Sequence, residues 1–367
     1  MKPILYASTE REFATNGIGI LSDAASCVVT EERNGAYELE MQYPVMGLHY
    51  ASITYRSLIL AKPKPDGEPQ PFRVYRITRP LGGLVTVYAR HISYDLSGVV
   101  VPPFSATGVE GVFDAIQAKA VPQDSGFTFW TDKTSTSGVA TTVPNSVRSL
   151  LGGIRGSILD VFGGEYEFDR FTVKLWRRRG EDRGVTIRQG KKIMALEQDD
   201  NCASVYTAVY PYWTSEDVTV ELPEKTVEAP GTYDFVRILP LDLTSVFKGQ
   251  PTPDQLRTSA QYYIADNNVG VPRVALSLSY AQLDGEKVDL CDTLTVTFAE
   301  MGVNTTAKVI KTVFDVLQDR YSAVEIGDMR ASISETIAGQ AESISALPQT
   351  IQQAVLNATG WLTGDNG

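Results

Sequence analysis

The sequence has 367 residues, 43% of them hydrophobic and 21% charged, which is enough to bury the cores of two or three domains. Its 33 lysines and arginines are outnumbered by 44 aspartates and glutamates. The resulting net charge of −11 argues against a dedicated duplex-DNA-binding protein, whose affinity needs clustered positive charge. Three widely spaced cysteines and two isolated histidines exclude a disulfide framework, a CxxC zinc site and a histidine-rich metal site. We predict no metal and no cofactor.

Hydropathy gives no sign of a membrane segment or a secretion signal. No stretch approaches the roughly 20 uninterrupted apolar residues that a membrane-spanning helix needs. The N-terminal residues turn polar at once and lack the apolar core of a signal peptide. We therefore expect a soluble protein, or part of a soluble assembly, without stable membrane binding.

The first 98 residues carry short strand patterns separated by turns. Asn34-Gly35 is the strongest hairpin signal because both residues tolerate a positive φ. Alternation beyond this turn places Tyr37, Leu39 and Met41 on one face of a strand. The sequence predicts a first β-barrel-like domain over 1–98, with hairpins of 27–30 with 36–41 and of 72–77 with 84–89.

Helix and strand signals mix after Pro102-Pro103, which interrupts the strand pattern. Val112, Ile116 and Ala120 recur at helical spacing, and Asn145 or Ser146 is a suitable N-cap for a longer helix. The sequence predicts an inserted α/β domain over 99–192, with helices over 109–120 and from 145 or 146 to 161, a strand over 127–130 and a hairpin over 165–176.

Strand patterns resume in the next region, so the predicted fold class is α+β and mainly β. We predict a second β-barrel-like domain over 193–327, with strands at 204–210, 294–298 and 307–313 and a helical insertion near 252–269. Both β regions contain a short strand that leads through a loop to a long alternating strand. Two similar barrels produce such an internal echo, and so does a chance match between generic hairpins.

The C-terminal segment carries the clearest helical pattern. We predict a helical segment over 328–359 and then, over 360–367, the start of a linker that leads into a longer polypeptide. The apolar residues form a narrow seam, typical of a helix that pairs with other helices. Two interpretations stay open: a helix packed on its own barrel, and a three-stranded bundle along a threefold axis, which isoleucine at successive core layers favours. The seam consists of Met329, Ile333, Ile337, Ile344, Leu347, Ile351 and Val355.

One basic cluster interrupts the acidic sequence, with Arg177, Arg178 and Arg179 at its centre. Glu181 and Asp182 lie inside the cluster, so a self-neutralised hairpin face is one interpretation. The others are a contact with a neighbouring subunit and a contact with nucleic acid, which the overall negative charge disfavours. The three arginines are a candidate subunit-contact patch.

No enzyme motif accompanies the residues that could support chemistry. His91 lies on an alternating strand without a nucleophile motif, so a hydrogen-bonded structural histidine is favoured. Glu165, Glu167 and Asp169 alternate as carboxylates on an exposed strand face do. Asp199-Asp200 lacks the ligand spacing of a calcium loop and is predicted to be a solvated turn before a strand. We predict no catalytic, cofactor-binding or metal-binding residue.

A set of short β-rich runs has a characteristic order and spacing over about residues 15 to 363. The runs are Asn34–Glu40 followed by Tyr43-Pro44, Tyr88–Leu96, Arg183–Lys191, Tyr206–Tyr212, Asp292–Val296 and Tyr321–Gly327. Together they resemble the N-terminal region of the prophage endopeptidase tail family, also called phage minor structural proteins. That family in turn resembles the baseplate hub protein of contractile-tailed phages.

The resemblance implies a structural protein of the virion tail tip or baseplate, made in the cytoplasm of the bacterial host. It implies a trimeric hub with two barrel-like domains per chain and six around a ring, which faces the tail tube with near-sixfold symmetry. The expected partners are two further copies of the chain, distal tail and tail tube proteins, the tape-measure protein, and receptor-binding or tail-fibre proteins. DNA is expected only in transit, when the ring opens.

Two other functions stay open from the sequence. The chain could anchor a tail-associated lysin, whose endopeptidase or glycosidase activity would lie beyond Gly367, so that these residues themselves are not enzymatic. It could instead be a module that binds receptor sugars. In that case surface aromatic residues such as Trp130 or Trp213 would have to line an exposed groove.

Overall fold

The computed structural model describes residues 1–154, 156–188, 193–201, 205–215, 218–244, 246–247, 249–266, 269–270, 273–280, 287–298 and 303–327. They form two compact units. Unit 1 comprises Met1–Glu32, Tyr37–His91 and the described residues of 178–329, and unit 2 comprises Arg33–Ala36 and Ile92–Arg177. Among the residues described, no helix is long and apolar enough to cross a membrane.

The N-terminal part of unit 1 consists of strands and one turn of 3₁₀-helix at Tyr50–Ser52. The strands are β1 (Ile4–Tyr6), β2 (Gly19–Ile20), β3 (Ser26–Glu32), β4 (Tyr37–Pro44), β5 (Leu58–Ala61), β6 (Gln70–Thr78) and β7 (Leu84–His91). Both predicted hairpins are confirmed, because β3 pairs with β4 around Asn34-Gly35 and β6 pairs with β7. Asn34 has a φ of 56°, which explains the choice of residue in this turn.

Unit 2 mixes short strands and helices after a 3₁₀-helix at Ile92–Gly98. Its strands are β8 (Val100–Val101), β9 (Ser105–Thr107), β10 (Thr128–Thr131), β11 (Gly138–Ala140), β12 (Asn145–Ser146), β13 (Glu165–Asp169) and β14 (Thr172–Trp176). Its helices are α1 (Val109–Lys119), α2 (Val147–Leu151) and α3 (Ile158–Phe162).

The C-terminal part of unit 1 supplies the remaining strands and one helix, α4 (Pro253–Asp266). The strands are β15 (Asp182–Arg188), β16 (Ile193–Asn201), β17 (Ala208–Ser215), β18 (Val218–Glu221), β19 (Val227–Glu228), β20 (Ile238–Asp242), β21 (Arg273–Tyr280), β22 (Thr293–Phe298), β23 (Val303–Asp315) and β24 (Arg320–Gly327). The predicted mainly β fold class is confirmed.

Unit 1 is organised around one 13-stranded sheet that curls into a half-barrel. Half A has the strand order β3-β4-β7-β6-β5-β1, and half B has the order β16-β21-β24-β23-β22-β15. In both halves the first strand of the order pairs with the second. The second then pairs with the later strand of a hairpin, which is β7 in half A and β24 in half B. All neighbours are antiparallel in both halves, except that β15 runs parallel to β22. The same six-strand arrangement therefore occurs twice in one chain.

A β-bulge falls at the same place in the two halves. The pairing of β6 with β7 shifts between Val74 and Arg76, and the pairing of β23 with β24 shifts between Val309 and Lys311. A bulge inserts one residue and bends its strand, so a shared bulge fixes which positions correspond. The internal echo of the sequence falls on these matched strands and reflects a structural repeat.

A second small sheet and α4 are inserted in half B between β16 and β21. In this sheet β17 pairs with β18, β19 and β20, and α4 packs on it around Val209, Leu222 and Leu256. The sequence prediction ends the strand at Pro211, whereas β17 continues through that residue. The strand can continue because β19 pairs with β17 before Pro211 and β18 pairs with it after Pro211. The edge of β17 that faces these two strands therefore needs no backbone N–H donor at the proline.

Unit 2 corrects the prediction of one long helix ending at Val161. Ser146 caps α2 as predicted, and its hydroxyl accepts a hydrogen bond from the backbone N–H of Ser149. The helix then stops at Gly152-Gly153, where Gly153 takes a φ of 107°, and α3 starts afresh. Two adjacent glycines cost helix stability and allow the left-handed backbone that separates the two helices.

The predicted domain boundaries stay predictions. The predicted C-terminal helix over 328–359 and the linker over 360–367 lie outside the described residues.

Candidate assembly interface

Halves A and B are joined by a strand pair that we name the internal seam. It is the antiparallel pairing of β3 with β23, which runs from Glu32 opposite Lys311 to Val28 opposite Asp315. Because β23 is in half B and β3 in half A, this pair makes one continuous sheet of the two halves.

Ion pairs stabilise the internal seam from the side chains. Lys311 Nζ lies 3.0 Å from Glu32 Oε1, directly across the seam. Arg179 donates to Glu31 Oε1 at 2.7 Å, and both side chains are largely buried, at 14% and 8% exposure. A buried, charge-assisted hydrogen bond of this kind fixes the geometry of its two partners more strongly than a surface pair does.

Two further pairs connect a loop of half A with half B. Lys62 lies 2.9 Å from Asp319, and Lys64 lies 3.0 Å from Asp289. These side chains are more exposed than Glu31, so the pairs add orientation rather than much stability.

Asp292 organises the corner where the start of β22 approaches the start of β15. Its carboxylate is buried and accepts hydrogen bonds from the backbone N–H groups of Glu181 and Asp289, both at 2.8 Å, and from Arg183 at 3.1 Å. Gly180 allows the close approach, since a Cβ there would lie 2.0 Å from the carbonyl oxygen of Cys291. The corner is therefore a structural site built on a backbone position that only glycine fits.

The three arginines of the predicted contact patch have different surroundings. Arg177 and Arg178 are exposed, and Arg178 donates to the hydroxyl of Thr293 at 2.9 Å. Arg179 reaches Glu31 at the internal seam. Arg177 ends unit 2, whereas the other two belong to unit 1. A subunit contact by this patch stays a prediction, and the described geometry gives Arg179 a partner within its own chain.

The predicted helix seam from Met329 to Val355 lies outside the described residues, so its role at a threefold axis also stays a prediction.

Two residues that the sequence analysis weighed as catalytic candidates make packing contacts and hydrogen bonds within the fold. His91 is fully buried, stacks on Tyr37 at 4.5 Å between ring centroids, and shares a hydrogen bond with Gln70 at 3.3 Å. Glu167 accepts a hydrogen bond from the Trp176 indole at 2.7 Å. Within the described ranges, no group of three or more His, Cys, Asp or Glu side chains is placed to hold a metal ion.

The prediction of a solvated turn at Asp199-Asp200 is wrong. These residues lie in β16, a nine-residue strand that pairs along β21 from Ile193 to Asn201. Asp and Asn are poor strand formers, so local composition points away from a strand, and the pairing with β21 overrides it. The strand order shows what the sequence did not, because β16 occupies in half B the position of β3 in half A.

Several strand edges of the large sheet carry no partner strand among the described residues, including the outer edges of β2 and β15. Two others matter for assembly. One is the outer edge of β16, which ends the strand order and pairs only with β21. The other is the end of β6 beyond Val74, since β5 pairs with β6 only over Gln70 to Arg73. Open edges with unpaired backbone groups are ready sites for another strand.

Apolar side chains are exposed beside the open end of β6. Leu81 at the tip of the β6–β7 hairpin is fully exposed, and so to a large extent are Met46 and Leu48 in the loop after β4. The two loops are adjacent because Val45 donates to the carbonyl of Gly83 at 2.9 Å. An exposed apolar group of this kind is typical of a protein-contact surface.

The fold is similar to that of three phage tail proteins of known structure. It is similar to the prophage tail protein gp18 from Listeria monocytogenes EGD-e, with a TM-score of 0.61 and 15% identity over 94% of this chain and 99% of that chain. It is also similar to the tail protein from Neisseria meningitidis MC58, with a TM-score of 0.59 and 11% identity over 91% and 99% of the two chains. The 43 kDa tail protein of prophage MuSo2 from Shewanella oneidensis follows, at 0.57 and 12% over 89% and 98%.

A family model agrees with this class. Residues 181–337 match the family described as prophage endopeptidase tail. The resemblance predicted from the sequence is therefore confirmed. A comparison with curated proteins finds no match for this sequence.

Proposed function

We propose that this chain is a structural hub of a phage or prophage tail tip or baseplate, which acts by assembling into a trimeric ring. The observation that carries the proposal is the duplicated six-strand arrangement in one sheet. A chain with two equivalent halves contributes two of six similar positions to a ring of three copies. Such a ring matches the near-sixfold symmetry that a tail tube requires of its distal partner.

The ring would connect the tail tube and distal tail proteins to receptor-binding or tail-fibre proteins, and it would let the tape-measure protein and DNA leave at infection. The internal seam supports this role because it joins the two halves of one chain, one third of such a ring, into a single continuous sheet. The virion tail tip or baseplate is the corresponding location.

Light scattering on the full chain tests the assembly. A mass near three times 40.1 kDa is expected, and a monomer at every concentration would contradict the proposal. Immunogold electron microscopy of tails with an antibody against the chain tests the location. Label at the distal end of the tail is expected, whereas label along the tube or on the capsid would contradict it.

The alternative that the chain anchors a cell-wall hydrolase is favoured by one observation, the family description, which names an endopeptidase tail. Zymography on the purified chain tests whether these residues are themselves enzymatic: no clearing of peptidoglycan is expected, and clear lysis bands would contradict that expectation. The reading frame beyond Gly367 separates the hub from the anchor, because a peptidase or glycosidase domain encoded there would make the longer polypeptide a cell-wall hydrolase. The sugar-binding alternative loses one of its two aromatic residues, because Trp213 is buried in the core beneath α4 and its indole donates to the carbonyl of Phe247.

A further inference from the structure

We propose that the open end of β6 in one copy of the chain pairs antiparallel with β16 of a second copy, in the register that β23 and β3 use at the internal seam. This inference rests on the proposed ring and names the strands that would build it. The occupant of each of these two edges is thus the other one, on a neighbouring copy.

The first step is the equivalence of β6 and β23. One edge of β23 pairs with β22 as far as Lys308, and the same edge then pairs with β3 from Lys311 onward. The corresponding edge of β6 pairs with β5 as far as Arg73 and then has no partner strand among the described residues. Half A therefore lacks the neighbour that the chain itself supplies to half B.

The second step is the equivalence of β3 and β16. Val29 of β3 lies opposite Leu39 of β4, which in turn lies opposite Ala89 of β7. At the matching places, Gln198 of β16 lies opposite Leu276 of β21, which lies opposite Ile326 of β24. In half B, β16 is therefore the equivalent of β3, the strand through which half A pairs with β23.

The register follows from these matched positions and the shared bulge. At the internal seam, Lys311 lies opposite Glu32, Thr312 opposite Glu31 and Val313 opposite Thr30. Transfer to the open edges sets three pairs between copies: Arg76 opposite Asn201, Ile77 opposite Asp200, and Thr78 opposite Asp199.

The charges of the two edges are complementary. The segment 76–80 (RITRP) contains Arg76 and Arg79 and no acidic residue. The segment 197–201 (EQDDN) contains three acidic residues and no basic one. The internal seam has the same polarity, because Lys311 of β23 pairs with Glu32 of β3. Opposite charges on facing strands favour association, whereas like charges oppose it.

Equivalent side chains are buried in half B and exposed at the open end of β6 in half A, as expected if a second copy covers that edge. Ile310, the bulge residue of β23, is 5% exposed, whereas Tyr75 at the bulge of β6 is 41% exposed. The hairpin tips differ in the same direction, with Val316 at 1% exposure and Leu81 fully exposed. Val316 also donates its backbone N–H to Cys27 of β3 at 2.9 Å, a bond that the tip of the β6–β7 hairpin lacks among its described contacts.

This pairing is head-to-tail, because each copy offers β6 on one side and β16 on the other. Head-to-tail contacts generate closed rings when their rotation closes. Since the seam between copies repeats the seam within a chain, every junction around the ring would be of one kind.

Disulfide trapping tests the register directly. Residues opposite each other on antiparallel strands have Cα atoms about 4.5–5.5 Å apart, within the range of a disulfide. The full chain carries Thr78→Cys with Asp199→Cys, or Arg76→Cys with Asn201→Cys, in a Cys202→Ser background. Cys27 and Cys291 are buried and do not compete. The matched control is Thr78→Cys with Asp200→Cys, since a shift by one residue places the two side chains on opposite faces.

The expected result is a ladder of covalent dimers and trimers on a non-reducing gel for both on-register variants, at least ten times stronger than for the control. Single-cysteine variants give no ladder, and a mixture of T78C chains with D199C chains stops at dimers. Light scattering on the same samples separates two failures. A trimer with no register-specific link would overturn this pairing and leave the hub intact, whereas a monomer without links would overturn both.

Discussion

The internal seam should owe much of its stability to one buried carboxylate, which Glu31→Gln tests. Glu31 accepts the 2.7 Å hydrogen bond from Arg179, and their side chains are 8% and 14% exposed. Breaking a buried ion pair by removing one partner costs about 3–5 kcal/mol, because the other charge is left in a poorly solvated place. Glutamine keeps an acceptor oxygen, so we expect the lower end, about 3 kcal/mol less free energy of unfolding.

Urea unfolding followed by fluorescence measures this loss, and the chain provides a matched control. Glu38 lies on the neighbouring strand β4 and pairs with Arg90 at 2.9 Å, but both side chains of this pair are well exposed. Glu38→Gln should therefore cost less than about 1 kcal/mol. If the two variants lower the midpoint equally, burial is not what gives the Glu31 pair its weight, and the reasoning about the seam fails.

Three other substitutions test separate parts of the structure. Leu81→Asp should leave the unfolding midpoint unchanged, because the side chain is fully exposed, and should lower the scattering mass toward one chain; an unchanged assembly would remove the hairpin tip from the interface. Gly180→Ala should lower the free energy of unfolding by about 1–3 kcal/mol, since its Cβ would clash with Cys291, and an unaltered thermal midpoint would contradict that clash. Tyr166→Phe should cost about 1 kcal/mol in urea, because its buried hydroxyl donates to the carbonyl of Leu151 at 2.9 Å; no loss would mean that this bond adds nothing.

Strands with alternating hydrophobicity and helices with clear caps could be predicted from the sequence. The hairpin at Asn34-Gly35 and the helix starting at Pro253 lie where their turn and start signals put them. These signals are local: the turn and the helix start are determined by residues that are adjacent in the sequence, so they can be predicted without knowing the distant contacts. The two adjacent glycines at 152–153 carried a local warning as well, and their left-handed backbone ended the helix early.

The candidate interface could not be predicted in the same way, because it depends on which strands meet. Nothing in the run EQDDN of β16 indicates a strand, since acidic residues and asparagine disfavour one. Only its pairing with β21 shows the strand, and only the strand order shows that β16 corresponds to β3. The sequence echo between short and long strands was the trace of this repeat, but it gave no pairing and no register.

A seam between copies faces a cost that the internal seam does not. Association loses translational and rotational freedom worth roughly 4–15 kcal/mol, whereas β3 and β23 are already held in one chain. Backbone hydrogen bonds at about 1 kcal/mol each over three register pairs do not offset that loss by themselves. Apolar burial at about 25 cal/mol per Å² has to supply the rest, and Leu81, Met46 and Leu48 are the exposed apolar side chains beside this edge. Closure of a ring helps further, because every copy is then held by two seams and cannot leave by breaking one. The strand edges would therefore set the register of the assembly, and the apolar hairpin tip would decide whether it persists.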